Sequence, residues 1–126
     1  MIGLTRAVRV FAYGAPVDLR KGYNGLSALV EQEMQHRLLN GDVYLFVGRK
    51  PRRAKVLYFD GTGLCLLAKR LERGRFARPW ERSHGAVLSL TLSELALFLE
   101  GSELIGRKPL APPTFDEKSL AVKIPI

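Results

Sequence analysis

The stretch DVYLFVGRKPRRAKVLYFDGTGLCLLAKR, residues 42–70, decides the fold. Three apolar runs stand in it, separated by residues that make turns. Val43–Val47 is rich in β-branched and aromatic side chains and stops at Gly48. Ala54–Phe59 reads as a second strand and Leu64–Lys69 as a third. Between these two lies Asp60-Gly61-Thr62-Gly63, where the Asp-Gly step supplies the positive φ that a tight hairpin turn requires. The expectation is a three-stranded antiparallel meander.

Outward from the meander, the pattern alternates between strand and helix. Val8, Val10 and Ala12 share one side of an extended segment that Gly14 and Pro16 interrupt, which predicts an edge strand or hairpin near the start. Leu26, Leu29, Val30 and Met34 then fall at helical spacing, with Asn24 as a candidate N-cap and Asn40-Gly41 as a stop. Ala86–Leu90 can add a strand. Thr91-Leu-Ser-Glu94 is a capping box opening a second helix, with Leu92, Leu95, Ala96 and Leu99 on one face and Gly101 at its end. Beyond Arg107, prolines at 109, 112, 113 and 125 predict an extended tail. A chain of 126 residues fits one compact domain. The fold expected is a single α+β domain over residues 1–106, an antiparallel sheet carrying two amphipathic helices, followed by a Pro-rich tail at 107–126.

The formal charge is +8, and it is concentrated. Between Arg49 and Arg82 stand eleven Lys or Arg against three acids, a surplus of eight, while basic and acidic residues cancel elsewhere. Such a footprint points to a polyanionic partner. Meander geometry adds a prediction: the loop after the first strand and the end of the third lie at the same end of the sheet. Arg49, Lys50, Arg52, Arg53 and Lys55 would then converge with Lys69, Arg70, Arg73 and Arg75 into one patch. Arg20 and Lys21 form a smaller basic knot. Arginine forks suit phosphates, and no base-reading helix is evident, so the pattern predicts phosphate contact without sequence readout. DNA and RNA are both open on this ground. Among Tyr23, Tyr44, Tyr58 and Trp80, only Trp80, between Arg78 and Arg82, is a candidate for stacking on bases.

Catalysis has little support in the sequence, and an unrecognised nuclease is the weakest of the readings. His36 and His84 are isolated, and no ligand spacing for a metal is present. Cys65 sits in an apolar run as a buried, inert thiol, and the acids are too scattered to hold catalytic cations. The reading is of a non-enzyme that needs no cofactor or metal. A single cysteine and the lack of a long apolar segment predict a soluble, cytoplasmic protein that does not bind a membrane.

Two segments carry a resemblance. Asp18-Leu-Arg-Lys-Gly-Tyr-Asn-Gly-Leu26 resembles the N-terminal signature of the second-reading-frame accessory proteins of the insertion-sequence-66 family, often called TnpB. Leu45-Phe-Val-Gly-Arg49, Lys55 to Leu66 and Lys69-Arg-Leu-Glu-Arg-Gly-Arg-Phe76 are similar to that family's central signature, and Leu92–Gly101 also fits. The RNA-guided nucleases that share the label are several times larger and are not what this chain resembles. The resemblance implies an accessory role in transposition of a bacterial insertion sequence, beside a separate transposase. Joined to the charge pattern, it yields two expectations. The first is non-catalytic DNA binding through the basic patch; the alternative is an adaptor that docks an acidic surface of the transposase.

Overall fold

All five residues of the run Val43–Val47 are buried, and this strand (β2) therefore lies in the middle of the molecule. Burial at every position requires both faces of a sheet to be covered. The computed structural model describes residues 8–83 and 87–101. In it β2 is the central member of a five-stranded sheet with β1 (Val10–Ala12), β3 (Arg53–Phe59), β4 (Leu64–Arg70) and β5 (Leu88–Leu90), in the spatial order β4-β3-β2-β1-β5.

The two faces have separate cores. Val43, Leu45, Val47, Ala54 and Val56 meet Phe76, Leu95 and Phe98 on one side. Here the covering helix is Leu92–Leu99, whose capping box is formed as the sequence predicts: the Glu94 amide donates to Thr91 Oγ1 at 3.0 Å and the Thr91 amide to Glu94 Oε1 at 2.8 Å. On the other side Tyr44, Phe46 and Leu57 meet Leu26, Val30 and Met34 from the first helix. A short helical turn, Trp80–Ser83, precedes β5. We label the helices α1 (Tyr23–Ala28), α2 (Trp80–Ser83) and α3 (Leu92–Leu99).

The meander β2-β3-β4 is antiparallel throughout, but the sheet as a whole is mixed, which corrects the expectation of an antiparallel one. β1 runs parallel to β2 (Val10 opposite Val43) and antiparallel to β5 (Val10 opposite Leu90). Nor is β1 an edge strand, since Val10 and Ala12 are wholly buried between two neighbours. The parallel pairing is possible because the chain between β1 and β2 carries α1, a crossover that a tight turn cannot replace. The interior position follows from β5, which pairs along the other edge of β1.

The first helix also departs from its expected bounds. Gly22, not Asn24, stands at its N-cap, and no side chain caps it. After Ala28 it widens into a π turn over Leu29–Glu33, with the Met34 amide donating to Leu29 O at 2.9 Å. It ends at Met34, because Gln35 takes a left-handed φ of 58°. The predicted stop at Asn40-Gly41 instead closes a separate 3-10 turn, Leu38–Asn40. The apolar stripe Leu26, Val30 and Met34 is nevertheless buried as expected. The segments Met1–Ala7 and 102–126, which include the predicted tail, lie outside the described residues, as does Ala86 of the fifth strand's expected span.

Two side chains near the meander make testable statements. The Tyr44 hydroxyl is buried with no hydrogen-bond partner among the described residues. Burial, reinforced by the Asp42 charge, pushes its pKa up to about 12. A buried hydroxyl without a partner costs roughly 1–3 kcal/mol of desolvation. Tyr44→Phe is therefore expected to raise stability by about 1 kcal/mol in urea unfolding; a clear loss would refute this.

Asp60 organises the β3–β4 turn. Its Oδ1 accepts from the Thr62 amide at 3.0 Å, the Gly63 amide at 3.0 Å and Thr62 Oγ1 at 3.1 Å, while Gly61 takes a φ of 108°. The Thr62 amide, followed by that of Gly63, holds the carboxyl down at about 2. A depressed folded-state pKa means that this stabilisation is complete above the ordinary value of 3.8 and fades as pH falls toward about 2. Asparagine keeps the acceptor oxygen but cannot titrate. The melting temperatures of native protein and Asp60→Asn should thus converge between pH 4 and pH 2, and a constant gap would count against it. Cys65 Sγ lies 3.5 Å from Asp60 Oδ2. That thiol is half-buried rather than buried, because β4 is an edge strand.

Candidate nucleic-acid interface

The site grows from the loop between β2 and β3. The Gly48 amide donates to Arg53 O at 3.1 Å and closes the loop at its base. One side is braced by the segment after β1: the Val17 amide donates to Val47 O at 3.0 Å, and Leu19 approaches so closely that a Cβ at Gly48 would lie 3.4 Å from its Cδ1. The other side is braced by the segment after β4. Pro51 is buried, its carbonyl accepts from the Phe76 amide at 2.6 Å, and Arg52 O accepts from the Leu71 amide at 2.8 Å. The Arg52 guanidinium adds bonds to Leu71 O at 3.3 Å and Glu72 O at 3.1 Å. Arg49 and Lys50 stand exposed on this doubly braced loop.

Two open troughs flank it. The first, about 1040 Å³, lies between the loop, the segment Pro16–Arg20 and the end of β4, and carries Arg20, Arg49, Lys50, Arg52, Arg53 and Arg70. Its acids are Asp18 and Glu72. The second, about 750 Å³, lies between the same loop and residues 72–78, with Arg49, Lys50, Arg52, Arg73, Arg75 and Arg78 against Glu72. The cross-strand register explains part of the convergence, since Arg53 pairs opposite Arg70.

Not every cation is equally free. Asp18 receives the Arg20 fork, with Nη2 donating at 2.7 Å and Nε at 3.0 Å. This pairing holds the Asp18 carboxyl well below the usual carboxylate range and raises Arg20 in turn. Arg70 meets Glu72 at 3.2 Å and Arg78 meets Glu81 at 3.4 Å. Among the described residues, Arg49, Lys50, Arg53, Arg73 and Arg75 have no carboxylate within ion-pair distance.

Lys21, Lys55 and Lys69 line neither trough, although Lys55 and Lys69 border a smaller hollow of about 370 Å³ that shares Leu19, Arg53 and Arg70 with the first. The pleat turns Lys69, opposite Ala54, toward the α3 face, where its Nζ donates to Leu99 O at 2.6 Å. Lys55 Nζ donates to Lys21 O at 2.9 Å, which ties β3 to the start of α1. The Lys21 stem packs beside Gly25 of α1. Arg78, which is not among the residues expected in the patch, lines the second trough; its place in the basic run after Arg75 is the signal for it. Trp80 is half-buried against the α3-side core, and His36 packs edge-on to Phe11 at 4.4 Å between ring centres.

A family model described as IS66 Orf2-like protein matches residues 8–108, a span that contains every residue of both troughs. The chain belongs to the IS66 Orf2-like family. Two proteins of Sinorhizobium fredii (strain NBRC 101917 / NGR234) are similar to this family member. The uncharacterized protein y4jC is 34% identical over 116 residues, which is 90% of this chain and 97% of the relative. The uncharacterized protein y4hO is 34% identical over 94 residues, 75% of this chain and 80% of the relative. No solved structure matches. Among the described residues, no helix is long and apolar enough to cross a membrane.

Proposed function

We propose that this chain is a non-catalytic accessory protein in transposition of a bacterial insertion sequence, and that it holds DNA by its phosphates through the two troughs. Membership of the IS66 Orf2-like family supplies the transposition setting. The observation that carries the DNA reading is the meeting of two basic segments on one surface. Nine cations gather there (Arg20, Arg49, Lys50, Arg52, Arg53, Arg70, Arg73, Arg75 and Arg78) against Asp18 and Glu72. Cations held together in excess of their carboxylates repel one another, and a polyanion relieves that repulsion while releasing its counterions.

The test is a titration of labelled duplex at several salt concentrations. The side chains of Arg49, Lys50, Arg53, Arg73 and Arg75 have neither a carboxylate nor a carbonyl partner among the described residues. If each of these meets a phosphate, log K should fall against log salt with a slope of about −4.5. Salt-independent binding, or none at low salt, overturns the reading. Tight binding to the element's transposase with DNA affinity absent would assign the surface to an acidic protein partner instead.

A further inference from the structure

We infer that the β2–β3 loop is a prong that sits between the two strands of a DNA duplex, with one phosphate strand in each flanking trough. This rests on the DNA reading above and specifies its ligand. The troughs are not two unrelated hollows: Arg49, Lys50 and Arg52 line both, so the loop forms their shared wall. Each trough also has cations of its own, Arg53 and Arg70 in the first, Arg73 and Arg75 in the second. A ligand with one line of phosphates could neutralise one side and would leave the other solvated. A duplex presents two charged strands bordering each groove, which matches a cationic wall with a cationic trough on either side.

The prong is also built to keep its shape under that load. Its base is closed by the Gly48–Arg53 bond, and it is braced by Val17 on one side and by Phe76 and Leu71 on the other. Both troughs are therefore held at a fixed separation, and binding requires little ordering of the loop.

The experiment compares three ligands of the same length, about one helical turn, with the full chain: native duplex, single strand, and a duplex whose one strand carries neutral methylphosphonate linkages. Affinity for the native duplex should exceed that for the single strand roughly tenfold at 0.1 M salt. The half-neutral duplex should show a salt slope close to half that of the native duplex, because one trough has lost its charged strand. A protein that uses one strand only would simply bind the charged strand, and the slope would stay unchanged. That result, or single-strand affinity equal to duplex affinity, overturns the inference while leaving DNA binding intact. Failure to bind any of the three at low salt removes the underlying DNA reading itself.

Discussion

Phe98→Ala is expected to remove about 3–5 kcal/mol of folding free energy, the range for truncating a fully buried aromatic. Phe98 has no exposed surface and stacks on Phe76 with ring centres 4.9 Å apart and planes 13° from parallel. The consequence reaches the basic surface. Phe76 belongs to the same segment as Arg73 and Arg75, and its amide is the one that bonds to Pro51 O under the prong. The aromatic pair thus fastens α3 to the wall of the second trough and, through it, to the loop. A cavity there costs transfer free energy as well as lost dispersion contacts, since the neighbouring strands are fixed by the sheet. Urea unfolding followed by circular dichroism measures the loss, and the melting temperature should drop by about 12 °C or more. A cost below 1 kcal/mol would show that the pair is not part of the main core.

The second large effect falls on binding without touching stability. Arg49→Ala together with Lys50→Ala removes two exposed cations that line both troughs. With a slope near one per phosphate, each lost contact weakens binding roughly tenfold at 0.1 M salt, so the pair should cost about 100-fold in duplex affinity. Their side chains make no ion pair among the described residues, and the melting temperature should hardly move. Lys69→Ala provides the contrast. Its ammonium is committed to the Leu99 carbonyl and lines neither trough, so duplex affinity should change little. Equal losses from the two changes would mean that affinity follows total charge and not the troughs.

Legibility followed sequence distance. The meander was readable because its three strands are adjacent in the chain and joined by short turns, one of them marked by Asp60-Gly61. The capping box of α3 was readable for the same reason, since Thr91 and Glu94 are three residues apart. The position of β1 was not: three residues of strand carry too little pattern to choose an edge or an interior site, and its parallel partner lies 33 residues away. The π widening of the first helix left its apolar stripe intact, so no sequence signal separated it from a regular helix.

The same division runs through the basic surface. The order of residues alone places the excess charge in the Arg49–Arg82 segment, and meander geometry brings its two clusters to the same end of the sheet. That order identifies the family as well, through long contiguous motifs. Which cations share a wall depends on contacts made only in the folded chain. The parity of the β3–β4 register sends Arg70 with Arg53 to the first trough and turns Lys69 toward α3. The packing of Phe76 on Phe98 and its bond to Pro51 bring Arg73, Arg75 and Arg78 alongside the loop. These are contacts between residues far apart in the chain. Their free energy comes from burial and pairing that exist only once the sheet has formed, and no local pattern of residues encodes them.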